Sequence, residues 1–326
     1  MANIYVTREI PEGGLKLLRE KFGKFEMNTE DRVLTREELL KAVRGRDAIL
    51  SLLTDKIDEE VYEAAGKQCK IFSNYAVGYN NIDVPGASKR NIMVTNTPGV
   101  LTNATADLAI ALLFSCARRI PEADAFTRAG KFKGWGPMLF LGQDITGKTL
   151  GIVGAGRIGS DVATKMSRGF NMKVLYTDKF GNPDLEKTTS AKKVELDILL
   201  QESDFISVHV NLTEETKHMI GEKELGMMRS NCVFINTSRG PVVDENALVK
   251  ALRKKRIFSA GLDVFENEPK LAEGLAELSN VVIPPHIASA TFWTRTKMAE
   301  MAAQNLIDAL DGKMPEYCVN REELKK

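Results

Sequence analysis

Short apolar runs alternate along the chain with longer segments whose apolar residues recur every three or four positions. The runs are rich in β-branched residues, which is typical of strands covered on both faces, and the periodic segments are typical of amphipathic helices. This alternation predicts βαβ units and therefore parallel sheets. In the first part of the chain the predicted strands are 3–7, 48–53, 70–76 and 92–96, and the clearest helices are 14–22 and 59–66.

A second series of strands follows a helical pattern at 103–119 and a glycine-containing loop at 130–137. Its predicted strands are 149–153, 173–177, 205–208, 232–236, 259–263 and 281–283, and a long helix is predicted at 291–310. Because that helix comes after the second series has ended, we expect it to return to the first domain. The pattern predicts an α/β protein of two Rossmann-like domains, each a doubly wound parallel sheet, with a cleft between them. One domain is discontinuous, 1–101 plus 289–326, and the other is 102–288; the polar residues 317–326 are expected on the surface.

Length and composition agree with two domains, each large enough to bury its own core. The 326 residues are 43% hydrophobic and 27% charged with a net charge of +1, so no basic field favours nucleic acid or an anionic membrane. The four cysteines are far apart in sequence, which predicts buried free thiols and no disulfide framework or zinc site. No signal-peptide pattern is visible, and the apolar segment 104–117 contains Asp107 and is too short to span a bilayer. We expect a cytoplasmic protein.

The segment Gly154-Ala155-Gly156-Arg157-Ile158-Gly159 is a GxGxxG motif. Glycine-rich turns are common, so its specificity comes from its context: a predicted strand leads into it and a helical stretch, 160–168, follows it. Gly154 permits the tight turn, Gly156 lets the backbone approach a pyrophosphate, and Gly159 allows the helix to pack closely on the strand. The free N–H groups of the first helical turn would face the phosphates. The context predicts a dinucleotide-binding site.

An acidic residue is expected about 20 residues further on, at the end of the next strand. Asp178 stands 19 residues after Gly159. Its carboxylate would accept hydrogen bonds from the adenosine ribose hydroxyls and would repel a 2′-phosphate, so we predict NAD in preference to NADP. Lys179 is adjacent and could soften that preference.

Histidine is scarce, which narrows the search for an acid–base group to three residues, His209, His218 and His286. His209 ends an apolar strand and is expected to be packed, whereas His218 lies in a polar stretch and is expected to be solvated. No two histidines have metal-ligand spacing, and no metal is predicted. His286 follows a predicted strand and two prolines at the carboxyl end of the sheet, where ligands of open α/β sheets bind.

Two further segments follow neighbouring strands at the same edge. Arg239 lies in 236–240, and acidic residues including Asp263 and Glu268 lie in 263–269. A fixed guanidinium can bind a substrate carboxylate and polarise its carbonyl. An imidazolium can give a proton to the alkoxide that develops as hydride arrives, and a carboxylate can hold the imidazole and stabilise its charged form. Reduction of a 2-oxo acid requires these parts.

These segments resemble the D-isomer-specific 2-hydroxyacid dehydrogenase family, and the similarity covers nearly the whole chain. The motifs that carry it are 74–83, 104–109, the GxGxxG motif, 236–240, 262–269 and 285–291. Within the family the chain is most similar to glyoxylate and hydroxypyruvate reductases, on Trp135-Gly136-Pro137 and Phe140-Leu141-Gly142. The resemblance implies a flavodoxin-like substrate-binding domain, 1–101 plus 289–326, and an NAD-binding Rossmann domain, 102–288. It also implies a homodimer formed through the cofactor domains.

The resemblance further implies roles for individual residues. Arg239 anchors the substrate, Glu268 is the partner of the histidine, and His286 is the acid/base. The backbone N–H groups of Val77 and Gly78 help to hold the substrate carboxylate, and Leu53 is expected to form an apolar wall near it. Cofactor contacts are expected from Thr105, Gly154, Gly156, Arg157, Ile158, Gly159, Asp178, Val210, Thr216, Thr237, Ser238, Asp263, His286 and Ala288.

Two features leave alternatives open, and a third bears on the cofactor. Trp135 either helps to close the partner subunit's site or anchors the interface. Phe292 and Trp293 stand where an acidic residue is commoner, and they either alter the mouth of the pocket or pack between the domains. Many glyoxylate reductases prefer NADP and have basic residues where Asp178 stands, so Asp178 favours NAD.

Other functions compete with this interpretation. Hydroxypyruvate or phosphoglycerate-type reduction is the closest rival, although the chain has no room for the regulatory domain of the long phosphoglycerate enzymes. Phosphite oxidation can use the same Arg, Glu and His types, whereas formate dehydrogenases have Gln where Glu268 stands. A non-catalytic NAD-sensing corepressor would retain the same Arg, Glu and His residues, but such proteins usually carry extra tails that bind their partners. Motif spacing does not determine which 2-oxo acid is the substrate.

Overall fold

The computed structural model describes residues 2–324, and the chain divides into two compact units. The first unit comprises Met1–Leu101 and Ser289–Lys326, and the second comprises Thr102–Ala288. Each is built on a parallel sheet with helices packed against it, which confirms the predicted α/β class.

The first unit has one parallel sheet among its described residues. Its strands are β1 (Ile4–Val6), β2 (Glu26–Met27), β3 (Ala48–Leu52), β4 (Ile71–Tyr75) and β5 (Met93–Thr95). Its helices are α1 (Glu12–Phe22), α2 (Arg36–Val43), α3 (Glu59–Ala65), α4 (Val84–Lys89) and α12 (Phe292–Leu310). The strand order is β2-β1-β3-β4-β5, so the chain crosses over after β2.

Both faces of this sheet are apolar, as the continuous hydrophobic runs predict. In β3 the side chain of Ile49 joins one core cluster, whereas Ala48 and Leu50 join the other. The second cluster includes a buried stripe along α12, in which apolar residues from Met298 to Leu306 recur at helical spacing. That stripe packs α12 against the sheet and α1, which places the C-terminal helix in the first unit.

The second unit is also centred on a parallel sheet. Its strands are β6 (Thr149–Val153), β7 (Lys173–Thr177), β8 (Lys192–Lys193), β9 (Phe205–Val208), β10 (Val233–Asn236), β11 (Ser259–Leu262) and β12 (Val281–Val282). Its α-helices are α5 (Thr102–Ala117), α6 (Ile120–Arg128), α7 (Arg157–Phe170), α8 (Pro183–Thr189), α9 (Leu196–Glu202), α10 (Glu222–Met227) and α11 (Glu245–Arg253). The order β12-β11-β10-β9-β6-β7-β8 puts the carboxyl ends of β6, β9, β10, β11 and β12 along one edge.

Some predicted bounds were wrong, for identifiable reasons. The helix after the glycine motif begins at Arg157 and not at Ser160, because Gly156 caps it. The C-terminal stretch is not purely a surface segment: Cys318 pairs with Thr95, Val319 N–H donates to Val94 O at 2.7 Å, and Asn320 is buried. The backbone of Cys318 and Val319 and the side chain of Asn320 satisfy the open backbone edge of β5, a requirement that residue polarity does not reveal. Residues 325–326 lie outside the described part of the chain.

The four cysteines form no disulfide bond within the described residues. All four cysteines are free; Cys69, Cys116 and Cys232 are buried, whereas Cys318 is half-buried. Within residues 2–324, no helix combines the length and the apolar character needed to cross a bilayer. In that range, no group of three or more His, Cys, Asp or Glu residues is arranged so that it could hold a metal ion.

Candidate active site

The GxGxxG motif forms a tight turn between β6 and α7. Gly154 has φ +94°, and a Cβ there would lie 2.8 Å from the backbone nitrogen of Val210. A Cβ on Gly159 would lie 2.1 Å from the carbonyl oxygen of Gly154, so only glycine lets α7 pack this closely on the turn. Around Gly156 the corresponding space is open, with no atom within 4 Å of an added Cβ.

The N-terminus of α7 fits a phosphate group. Gly156 is its N-cap and supplies no side chain to the first turn, so the N–H groups of Arg157 and Ile158 have no side-chain cap. Such N–H groups together with the helix dipole bind anions. The open space at Gly156 lets a pyrophosphate reach them, and the residues present therefore fit a dinucleotide cofactor.

Asp178 follows β7 directly, and its carboxylate faces the glycine turn. Its Oδ2 accepts a hydrogen bond from Ala155 N–H at 2.8 Å, and its Oδ1 accepts a longer one from Phe180 N–H at 3.4 Å. The carboxylate thus braces the turn with one oxygen. Because its bond to Phe180 N–H is long, Oδ1 can also accept a hydrogen bond from a ribose hydroxyl, which is the role that the sequence predicts for Asp178.

Several of the other residues expected to contact a cofactor lie on α5 or follow the carboxyl ends of β9 and β10. Thr105 is buried in α5, and the Thr216 hydroxyl closes its own turn by donating to Asn211 O at 2.6 Å. The buried Thr237 hydroxyl has no hydrogen-bond partner in the described chain, which suits a polar ligand atom. The Ser238 hydroxyl is already engaged, because it donates to Val210 O at 2.9 Å and accepts from Arg239 N–H at 2.6 Å.

His286 and Glu268 form a pair in the segments that follow β12 and β11. The Nδ1 atom of His286 lies 3.0 Å from Glu268 Oε2, and Glu268 Oε1 accepts from Phe265 N–H at 3.0 Å. Burial by itself raises the pKa of Glu268, but the hydrogen bond and charge of His286, together with the Phe265 N–H bond and the charge of Arg239, outweigh it and hold that pKa below its ordinary value. Because the carboxyl group is therefore ionised, Nδ1 is the donor, and Nε2 is left to exchange a proton with a substrate.

A buried carboxylate fixes the backbone next to the histidine. Asp263 Oδ1 accepts from Ile287 N–H at 2.7 Å, and Oδ2 accepts from Ala288 N–H at 2.8 Å. Burial raises the pKa of Asp263, and these two hydrogen bonds oppose that rise. The pair of bonds holds His286 in its left-handed conformation, with φ +54°. Asp263 and Ala288, both expected to contact the cofactor, also position the histidine loop.

Arg239 follows β10 on extended backbone and is held from several sides. Its Nη1 donates to Ser238 O at 2.7 Å, and its own carbonyl accepts from Asn236 Nδ2 at 3.1 Å. Burial lowers the pKa of the guanidinium, and the negative charge of Glu268 opposes that shift. The structure therefore brings Arg239, Glu268 and His286 together at one edge of a sheet as a cation, an acid and an imidazole.

Replacing Glu268 with glutamine is expected to move the alkaline limb of the pH–rate profile to lower pH. Since the pKa of Glu268 is lowered, its carboxylate stays charged from neutral pH down into the acid range and stabilises the protonated imidazole. Without that charge, the pH at which kcat/KM falls by half on the alkaline side should decrease by about one unit. Steady-state rates between pH 5 and 9 measure this. An unchanged alkaline limb would remove Glu268 from the proton-transfer machinery.

The residues expected to hold the substrate carboxylate lie in the first unit, in the loop after β4. Val77 and Gly78 follow the buried end of that strand, and their N–H groups donate to no other residue in the described range. Leu53 lies just beyond β3 and is exposed. The buried carboxylate of Asp55 fixes its turn by accepting from Leu52 N–H at 2.8 Å and from the Thr7 hydroxyl at 2.5 Å.

His218 is exposed, as expected. Its Nε2 also lies 2.6 Å from Glu266 Oε1, so the ring has a hydrogen-bond partner. The two residues are 48 positions apart, and the pairing therefore depends on the fold. His209 is packed, as expected: Nε2 bonds the Ser207 hydroxyl at 2.8 Å, and burial lowers its pKa to about 3. A histidine that stays neutral at physiological pH cannot be the proton donor.

The aromatic residues singled out in the sequence are strongly exposed. Trp135 is 86% exposed in the loop after α6, Phe292 is 99% exposed, and Trp293 is 64% exposed. Trp293 borders a shallow groove of about 390 Å³ on the first unit.

Known proteins resemble this chain over nearly its whole length. Residues 110–288 match the family described as D-isomer specific 2-hydroxyacid dehydrogenase, NAD binding domain. A glyoxylate reductase from Thermococcus litoralis is 54% identical over 98% of this chain and 97% of its own length. A crystal structure from Thermus thermophilus superposes with a TM-score of 0.91 at 42% identity, over 97% of this chain and 99% of that one. The structure of a glyoxylate reductase from Paecilomyes thermophila superposes with a TM-score of 0.87 at 33% identity, over 98% of this chain and 99% of that one.

The likeness extends over almost the whole chain and includes both units. The chain also has a glycine turn of the dinucleotide-binding type, and it has an acid, an imidazole and a guanidinium at one sheet edge. The chain therefore belongs to the D-isomer specific 2-hydroxyacid dehydrogenase family, and it is an NAD(P)-dependent oxidoreductase.

Proposed function

We propose that the protein reduces glyoxylate or hydroxypyruvate to the corresponding 2-hydroxy acid with NADH. The observation that carries the proposal is the pairing of His286 Nδ1 with an ionised Glu268, which leaves Nε2 as a proton donor in the same site as the half-buried Arg239. Relatives about half identical to this chain carry the name glyoxylate reductase, which favours a small 2-oxo acid.

Each residue of the site has a defined task in this reaction. Arg239 binds the substrate carboxylate and polarises the neighbouring carbonyl with its charge. The N–H groups of Val77 and Gly78 contribute further hydrogen bonds to the carboxylate. As negative charge develops on the carbonyl oxygen, His286 donates its Nε2 proton and Glu268 stabilises the imidazolium from which that proton comes. In the reverse direction His286 accepts the hydroxyl proton.

The cofactor is held by the glycine turn and the residues around it. The first-turn N–H groups of α7 bind the pyrophosphate, and Asp178 binds the adenosine ribose. Thr237 presents its unpartnered hydroxyl to the cofactor. When bound, the reduced nicotinamide supplies the hydride that the substrate carbon receives.

Replacing Asp178 with alanine is expected to weaken NADH binding and to relax discrimination against NADPH. The carboxylate repels a 2′-phosphate and also braces the turn through Ala155. Loss of one such charged contact costs on the order of tenfold in affinity. Fluorescence titration with both cofactors measures the ratio of their dissociation constants. A ratio equal to that of the wild-type protein would contradict the role given to Asp178.

The proposed assembly is a homodimer formed through the second unit. Several large apolar side chains that are close together in sequence, on and after α6, are exposed, and exposed apolar surface of this kind favours an interface. These residues are Ile120, Phe132, Trp135, Met138, Leu139 and Leu141. Trp135 either anchors the interface or helps to close the partner subunit's site. Sedimentation velocity tests the assembly directly, and a monomer at micromolar concentration would contradict it.

The function is tested by following NADH loss with glyoxylate, hydroxypyruvate, pyruvate and phosphohydroxypyruvate in parallel, and then repeating the series with NADPH. Rapid turnover of glyoxylate or hydroxypyruvate with NADH supports the proposal. Preference for phosphohydroxypyruvate would favour a phosphoglycerate-type enzyme. Tight NADH binding with no turnover of any of the four would contradict it and favour phosphite oxidation or an NAD-sensing role.

A further inference from the structure

Three consecutive carbonyl groups in the loop after β4 accept hydrogen bonds. Ala76 O accepts from Thr97 N–H at 2.9 Å, and Val77 O accepts from Asn96 Nδ2 at 2.8 Å. Gly78 O accepts from Asn74 Nδ2 at 3.0 Å. The donors come from the ends of β4 and β5, so the neighbouring strands hold the loop.

These bonds determine where the N–H groups of the loop point. A trans peptide is planar, and its N–H is directed opposite to its C=O. The carbonyl of residue 76 thus orients the N–H of Val77, and the carbonyl of Val77 orients the N–H of Gly78. Their donors are the adjacent residues Asn96 and Thr97, so both N–H groups point away from the segment that follows β5.

We infer that Asn96 is a positioning residue that aims the Gly78 N–H at the substrate carboxylate, while Asn74 holds the next peptide of the same loop. Asn96 orients the Gly78 N–H, and Asn74 orients the next peptide, whose N–H belongs to Tyr79. The inference rests on the proposed function, in which Val77 and Gly78 contribute to carboxylate binding. Preorganised donors bind an anion tightly because no conformational freedom is lost when it arrives.

Both asparagines are themselves fixed. Asn74 is fully buried within β4. Asn96 donates its backbone N–H to Tyr317 O at 3.3 Å and accepts at its carbonyl from Asn305 Nδ2 at 3.2 Å. Since Asn305 lies on α12, the C-terminal helix and the segment after it support the side chain that holds Val77. A donor anchored in this way can impose a direction on the peptide it binds.

The test uses Asn96→Asp, which keeps the shape but removes the donor. Oxalate, a dicarboxylate that carries an oxygen where glyoxylate carries its aldehyde hydrogen, is titrated into the enzyme–NADH complex. At pH 7.5 the ionised carboxylate repels the Val77 carbonyl, and oxalate affinity should fall at least about tenfold, with a matching rise in the KM for glyoxylate. The change in kcat should be smaller, and the dissociation constant for NADH should stay within about twofold.

A second readout separates positioning from general structural damage. The carboxyl group introduced by Asn96→Asp can donate to Val77 O once it is protonated. The oxalate affinity of the variant, divided by that of the wild type, should therefore rise as the pH decreases. If Asn96→Asp does not fold, Asn96→Ala removes the donor without adding charge, and it should lose oxalate affinity at every pH.

Asn320→Asp is the matched control. Asn320 is a buried asparagine of the same unit, and its Nδ2 donates to the carbonyl of Ile92 at 2.9 Å, outside the loop. This variant should lose stability without a selective loss of oxalate affinity. Wild-type oxalate affinity in the Asn96 variants would overturn the inference. Failure of the wild-type protein to bind oxalate or reduce any 2-oxo acid would instead overturn the proposed function, and the inference with it.

Discussion

Replacing His286 with alanine is expected to reduce the turnover of glyoxylate with NADH by about 10²–10⁴-fold, because the only proton donor paired with an ionised carboxylate in the proposed site is lost. Binding of NADH should survive, since the glycine turn and Asp178 are untouched. Stopped-flow measurement of NADH oxidation gives the chemical step, and fluorescence titration gives the affinity. Wild-type turnover in this variant would show that His286 is not the acid.

The backbone at this position complicates the choice of substitution. His286 has φ +54°, a conformation that costs alanine more than it costs asparagine. His286→Asn is therefore the better-folded companion variant, and it should lose activity to a similar extent. The anchoring of Ile287 and Ala288 by Asp263 uses backbone N–H groups only, so neither substitution removes it.

His218 offers a closely matched control for this experiment. It is also left-handed, with φ +52°, and its ring is paired with Glu266 at 2.6 Å in the segment that carries Glu268. His218→Ala removes another histidine that is hydrogen-bonded to a glutamate, from a different part of the same unit. We expect its turnover to stay within about threefold of the wild type, because its ring has no part in proton transfer. An equal loss in both variants would point to damage of the shared segment.

Much of the fold could be predicted from local pattern. The strands β6, β7 and β9 have the bounds that their apolar runs predict, since such runs are the direct signature of strands buried on both faces. The two-residue strands β2 and β8 were missed, because two residues carry no periodicity. Their pairing depends on neighbours that only the folded sheet supplies.

The candidate site could be predicted to the extent that it follows a topological rule. Arg239, Glu268 and His286 each come after a strand, and parallel strands bring their carboxyl ends to one edge. The rule does not specify side-chain partners, so the bond between His218 and Glu266 and the two bonds accepted by Asp263 were not foreseen. Nor does any sequence pattern show that Asn96 and Asn74 would bind successive carbonyls of one loop.

Replacing Arg239 with lysine is expected to reduce kcat/KM for glyoxylate by about 10²–10³-fold, although the formal charge is conserved. A guanidinium presents two parallel N–H groups to a carboxylate and can touch the adjacent carbonyl as well, whereas an ammonium is a compact, strongly hydrated point charge. The site is buried enough to lower the pKa of Arg239, and the same burial would penalise a charged lysine more severely. Both kcat and KM should change.

Arg229→Lys is the matched control for this substitution. Arg229 belongs to the same unit and pairs with Asp204 at 3.0 Å, where it is partly exposed and outside the candidate site. That variant should retain wild-type kinetics, because an exposed ion pair tolerates the exchange. Steady-state kinetics with glyoxylate and NADH compares the two. If Arg239→Lys also retained wild-type kcat/KM, bidentate recognition of the substrate carboxylate by Arg239 would be wrong, and the N–H groups of Val77 and Gly78 would have to provide most of that recognition.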